Sequence, residues 1–249
     1  MKTITLTLAL ASGISLLFLL GCATPQPVSR LYPIEQSGTK KWSYGNEMIT
    51  LSAENGMEVS AAFRGSNPNS LIFEVQIRNR SGLPVLVSPE KFYYEMLAID
   101  TARILGTPVF AIDPEKNLLE MDIAESRMRA QAQNETTAEL IAITTDILDN
   151  VTTKNETEAQ QQQKWAEQNA RSAEYESSQA NYNIQFRSLD EERSYWLNHV
   201  IRRNTLENGY EMRGSVFLPR SNQARFIRLN VVLENKIFPF TFWQVLYKP

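Results

Sequence analysis

Two side chains in this sequence are chemically singular: Cys22 is its only thiol and His199 its only imidazole. A thiolate can be alkylated, oxidised or bound to a metal, and an imidazole can carry a proton near neutral pH. One cysteine excludes an intramolecular disulfide and a cysteine-based zinc site, and one histidine weakens any transition-metal site, so neither metal nor cofactor is expected. For acid–base catalysis His199 needs a positioned nucleophile or carboxylate, and neither G-x-S-x-G nor H-E-x-x-H occurs. Tyr195, Trp196 and His199 share one side of an expected helix, which favours a packed or partly exposed histidine. Asp190-Glu191-Glu192 diverge around an expected first helical turn, where acids complement the helix dipole better than they gather a cation. Among the aromatics, Tyr93 and Tyr94 fall in an expected strand and read as core. Trp165, Tyr175 and Tyr182 lie on a polar helix and are the candidate interaction surface.

The position of Cys22 is informative. Met1-Lys2 is a short positive start, Ile4 to Leu20 is an apolar run diluted by Thr and Ser, and Leu19-Leu20-Gly21-Cys22 follows. This resembles the lipobox of bacterial lipoproteins: leucine at −3, a small residue at −1, then cysteine. The resemblance implies a signal peptide over 1–21, cleavage between Gly21 and Cys22, diacylglycerol on the thiol and an acylated (palmitate-type) amino group. One acyl chain holds a protein marginally, whereas two or three hold it firmly. Leu20 at −2 is bulkier than the residue usually found there. Ala23 in place of Asp after the cysteine points to the outer membrane. A retained transmembrane helix is the rival, but the run is short for a bilayer and no basic cluster directly follows it. An ordinary secretory signal would leave the placing of the only cysteine a coincidence.

With 249 residues, 43% hydrophobic and 21% charged, a packed core is expected, and a net charge of −3 gives no footprint for nucleic acid. Residues 22–46 carry Pro25, Pro27, Pro33 and Ser37-Gly38-Thr39 and read as the lipidated cysteine and a tether, with Lys40 and Lys41 available to anionic headgroups. From about residue 47 the period is two. Met57, Val59, Ala61 and Phe63, then Leu71, Phe73, Val75 and Ile77, flank Gly65-Ser66-Asn67-Pro68-Asn69 and predict an antiparallel hairpin. Val85–Val87 and Phe92–Leu97 are further strands, after a turn at Asn79–Gly82. Asp113-Pro114-Glu115 is a helix start: a capping residue, a proline at the first position and an acid in the first turn.

The stretch to about residue 204 is rich in Glu, Gln, Ala and Arg, with Leu140, Ile143, Ile147 and Val151 at helical spacing. Thr153-x-x-Glu156 predicts a capping box for a second helix, and Ser188-x-x-Glu191 a third start. Ala159, Gln163, Ala166, Ala170, Ala173, Ser177 and Ala180 recur at steps of three and four and mark a narrow seam within a projecting hairpin. Strands return at Met212–Leu218, Arg225–Glu234 and Ile237–Leu246, where Pro239 suggests an edge or a bulge. Asp113–Thr205 holds 17 acidic and 10 basic residues, a net of −7, leaving +4 elsewhere, which could orient the chain over an anionic surface.

Phe73-x-Val75-x-Ile77-x-Asn79-x-Ser81-x-x-Pro84-Val85, with Gly214–Pro219 and the strand after it, resembles immunoglobulin-type sandwich domains of envelope lipoproteins. The expected fold is therefore α+β: an antiparallel immunoglobulin-like β-sandwich, in parts 47–112 and 206–249, interrupted by a helical hairpin or bundle at 113–205. Such domains act as binding or scaffolding modules. The expected protein is anchored to a membrane by its N-terminal lipid, touches another envelope protein and is not an enzyme. The alternatives are an envelope hydrolase with a dispersed site around His199, or a small-ligand or glycan binder using the aromatic-rich sheet face.

Overall fold

A computed structural model describes residues 27–34, 38–43, 45–98, 103–152, 157–221 and 223–247, for 150–152 the backbone alone. Gly21, Cys22, Ala23, Thr153 and Glu156 lie outside the described residues. The fold is α+β, with two antiparallel sheets and two long helices. The seven-stranded sheet joins β1 (Val28–Pro33), β12 (Lys236–Tyr247), β11 (Phe226–Leu233), β6 (Val85–Val87) and β9 (Asn204–Leu206) in that order. On another stretch of β11 sits β7 (Tyr93–Leu97), which also pairs β8 (Ile104–Phe110). The five-stranded sheet runs β10 (Glu211–Pro219), β5 (Ser70–Asn79), β4 (Met57–Ser66), β3 (Asn46–Ser52), β2 (Thr39–Ser43).

Successive strand residues face opposite ways, so each alternating run delivers one set of side chains to a shared interior. Val59, Ala61, Phe73, Val75 and Ile77 of the five-stranded sheet meet Ile227, Leu229, Val231, Phe240 and Phe242 of the seven-stranded sheet in one buried cluster. Phe73 bridges the layers, with ring centroids 5.6 Å from Phe63 and 5.2 Å from Phe242, both edge-on. Pro239 stands opposite Asn230 of β11, before β1 joins β12 at Phe242, where a missing N–H is tolerated.

Three boundaries differ from expectation. Residues 28–33 and 39–43 are not tether: β1 closes the free edge of β12 and buries Ser29 and Leu31, and β2 pairs β3 with Lys40 bonded to Glu47 at 2.9 Å. Strands this short offer too little alternation to outweigh proline and glycine punctuation. The β8 strand was not expected either, since most of its length is exposed on both faces. Finally, β9 belongs to the seven-stranded sheet, so the strand pattern resumes at Asn204, within the expected insertion.

Asn79, fully buried, organises the turn after β5. Its Nδ2 donates to Leu83 O at 2.7 Å and Leu206 O at 2.8 Å, while Oδ1 accepts from the Ser81 amide at 3.0 Å and hydroxyl at 2.7 Å. Gly56 lies against this turn with φ 85, and a Cβ there would stand 2.4 Å from Arg80 O. Tyr94, also fully buried, donates to Pro219 O at 2.9 Å, and burial pushes its phenol from 10.0 up to about 12.

Asn79→Ala strands two carbonyls and two donors and is expected to cost about 2–4 kcal/mol, read as a lower urea midpoint with an unchanged slope. An unaltered midpoint would remove this residue from the account. Because the unfolded phenol ionises near 10 and the folded one near 12, the neutral form of Tyr94 favours folding fully below pH 10. Stability should decline as pH rises through that window, with a shallower decline for Tyr94→Phe; equal slopes would contradict the assignment.

Candidate functional site

The helices α1 (Pro114–Thr152) and α2 (Glu158–His199) form an antiparallel hairpin. At 39 and 42 residues each is about 60 Å long. Asp113 caps α1 as expected, its carboxylate accepting the Glu115 amide at 3.0 Å. The capping box of α2 belongs to Thr157 and Gln160. No third helix begins at Ser188, which lies inside α2: nothing near it breaks the helix, so capping chemistry alone does not start one.

The foot of the hairpin is apolar. Leu118, Met121, Trp196 and Val200 cluster with Phe217 of β10, and Trp196 stacks on Phe217 at 4.8 Å and 26°. The chain leaving α2 lies along β10: Ile201 N donates to Ser215 O at 3.0 Å, and a Cβ on Gly214 would stand 2.8 Å from His199 O. Arg202 clamps the entry of α1 by donating to both oxygens of Glu115 at 2.9 and 2.6 Å, which holds that carboxyl below its usual range.

Away from the foot the seam becomes polar. Asp122 pairs with Arg193 at 2.9 Å, Glu135 accepts from Tyr182 at 2.7 Å, Thr136 meets Tyr175 at 3.1 Å, and Arg171 pairs with Asp146 and with Glu139 at 3.5 Å. The bond to Glu135 also raises the phenol of Tyr182. Tyr175 and Tyr182 are therefore braces across the seam, not members of an outer surface with Trp165, which is 68% exposed. The stripe from Ala159 to Ala180 is exposed along its length and is not the seam. Alanine and serine gain little by burial, whereas tyrosine and arginine reach across to partners.

The apolar side chains of distal α1 face the other way. Leu140, Ile141, Ile143, Ile147 and Leu148 are all exposed while Glu139 and Asp146 face α2. At about 100° per residue these five fall within one broad arc of the helix. An exposed apolar arc of this kind is a candidate contact surface. The successive partners Asp122–Arg193, Glu135–Tyr182 and Asp146–Arg171 place Trp165 beyond the last of them, toward the same distal end.

His199 lines an open cleft of about 610 Å³ at the foot of α2 with Arg64, Glu74, Tyr195, Arg213 and Ser215. Glu74, buried, is held between Arg64 and Arg213. His199 itself is exposed, its ring 5.2 Å from that of Tyr195. The hydroxyl of Ser215 hydrogen bonds with Tyr195 Oη at 3.1 Å. The sequence also holds two S-x-x-K tetrads, Ser37–Lys40 and Ser88–Lys91. Lys40 is bonded to Glu47; Ser88 is buried beside a 3-10 turn while Lys91 is exposed, and Ser37 lies outside the described residues. Among the described residues no three His, Cys, Asp or Glu side chains gather to hold a metal ion, and no helix is long and apolar enough to cross a membrane.

Comparison with protein-family models, with curated proteins and with solved structures finds no match.

Trp196→Ala should unseat the hairpin at a cost of about 3–5 kcal/mol. Limited proteolysis is then expected to cut within residues 114–199 while the sheets stay resistant. Cleavage no faster than in the wild type would show that another contact seats the hairpin.

Proposed function

We propose that this chain is a lipid-anchored protein of the bacterial cell envelope that works without catalysis, contacting another envelope protein through its helical hairpin. The observation that carries the reading is the exposed stripe Leu140, Ile141, Ile143, Ile147 and Leu148. An apolar arc turned outward, with charged residues filling the seam behind it, is the inverse of what two helices alone would favour. A partner's apolar surface would cover it, as an amphipathic helix covers a groove.

The anchor rests on Leu19-Leu20-Gly21-Cys22, and Ala23 directs the proposal to the outer membrane. The immunoglobulin-type resemblance is the finer reading of the two packed antiparallel sheets. On it, the sheets are the scaffold and the hairpin the contact arm.

The test is crosslinking in the native organism with a photoreactive residue at Ile143 or Leu148, and at Ala173 on the exposed alanine stripe as control. A discrete envelope protein should be captured from the first two positions, and Leu140→Ser with Ile147→Ser should reduce capture about ten-fold or more, as expected for losing two buried aliphatic side chains. Capture no greater than at Ala173 removes the contact role. In parallel, Cys22→Ala should abolish incorporation of a fatty-acid analogue and leave an unprocessed precursor; persistent labelling removes the anchor and leaves the contact role standing.

A further inference from the structure

The outer face of the seven-stranded sheet carries an aromatic patch at its β1–β12 edge. Alternation turns Val28, Arg30 and Tyr32 outward from β1 and Trp243, Val245 and Tyr247 outward from β12. The register pairs them directly as Val28↔Tyr247, Arg30↔Val245 and Tyr32↔Trp243, so the six form one contiguous patch two strands wide. Tyr32 and Trp243 lie 6.3 Å apart at 47°, and the hydroxyls of Tyr32 and Tyr247 meet at 3.1 Å. Trp243 is 42% exposed, Tyr32 44%, Tyr247 50% and Val28 53%.

We propose that this patch docks on the headgroup layer of an anionic phospholipid membrane, a second attachment beside the lipid on Cys22. The inference rests on the anchor reading above. Tyrosine and tryptophan favour the boundary between hydrocarbon and water because each joins an apolar ring to a polar tip, and arginine buries its stem while its guanidinium stays among phosphates.

Three further observations select a membrane as the occupant. The segments β1 and β12 contain Arg30 and Lys236 and no acidic residue, whereas the hairpin region carries a net −7. Anionic lipid attracts a basic residue such as Arg30, the charged member of the patch, and repels acidic ones. The hairpin foot is seated on Phe217, on the outer side of the other sheet, so docking by the aromatic patch leaves the foot on the far side of the two layers. Five residues lie between Cys22 and Val28, a span of about 20 Å when fully extended, so a lipidated Cys22 would hold this edge close to the bilayer.

The test uses the acylated protein in phosphatidylcholine vesicles containing phosphatidylglycerol and a spin-labelled lipid. With Cys22 acylated, a cysteine introduced as Tyr247→Cys is the only free thiol and takes an environment-sensitive fluorophore. Asn69→Cys is the control. Its turn is joined through Arg220 to Pro27, near the start of β1, but does not belong to the patch. Quenching at 247 about three-fold or more above that at 69 is the expected result for interfacial burial, and it should fall to the level at 69 on adding Tyr32→Glu and Trp243→Glu. Equal quenching at the two positions, with Val28→Cys as a second probe on the patch giving the same answer, overturns the proposal. So does quenching at 247 that survives the two glutamates. A Trp243 emission shift caused by soluble glycan strands without lipid quenching would instead assign the patch to carbohydrate stacking. Fluorophore uptake by the wild-type chain would show a free Cys22 and overturn the anchor alone; the 247-against-69 comparison, repeated with Cys22→Ser variants, then still decides the docking.

Discussion

Strand β10 faces two cores at once, and the architecture depends on it. Because neighbouring residues of a strand point to opposite sides, Val216 and Leu218 enter the interior between the sheets while Phe217 points out and receives Trp196. Shifting the register by one residue would exchange the two sets and leave neither core satisfied. The nine paired positions with β5, from Glu211↔Arg78 to Pro219↔Ser70, hold that register. Gly214 completes the arrangement by letting the chain leaving α2 lie directly against the strand. The direction in which the hairpin leaves the sheets is thus set by a few side chains at its foot.

Beyond the foot, the hairpin is held by interactions of a different kind. Ion pairs such as Asp122–Arg193 and Arg171–Asp146 are partly exposed, and pairs of that sort contribute little net stability because desolvation and side-chain ordering offset the attraction. Their value is in register: Glu135 with Tyr182 and Thr136 with Tyr175 fix which turn of one helix meets which turn of the other. A seam that is specific yet weakly stabilising leaves the distal hairpin open to local fluctuation and to stabilisation by a partner.

The outward faces of the molecule have separate characters. The five-stranded sheet carries a polar lattice on its outer side, with Arg78 between Glu58 at 3.1 Å and Glu211 at 2.9 Å, and Glu74 between two arginines. Such a lattice is satisfied by itself and offers little to a partner. The seven-stranded sheet presents rings and an arginine, and the distal hairpin presents aliphatic side chains. The proposed membrane and protein contacts therefore occupy surfaces whose chemistry does not overlap.

Much of this was legible in the sequence, for local reasons. Period two located β4, β5, β10, β11 and β12, because half-buried strands must alternate, and Asp113-Pro114-Glu115 marked the start of α1, because a helix terminus must satisfy its own amides. Asn79-x-Ser81 was legible as a turn, although one of the four bonds of Asn79 reaches Leu206 of β9, more than a hundred residues away. The lipobox resemblance is likewise a property of the sequence, read on residues 19–22. What only the tertiary structure decided is which side of each element is inside. The apolar spacing of Leu140, Ile143 and Ile147 defines a helix but not where that face points, since a single helix cannot specify its neighbour. Tyr32 lies more than two hundred residues from Trp243 and Tyr247 along the chain, and only the pairing of β1 with β12 brings them into one patch. Periodicity is carried by the local chain, whereas facing and adjacency belong to packing between segments distant in sequence.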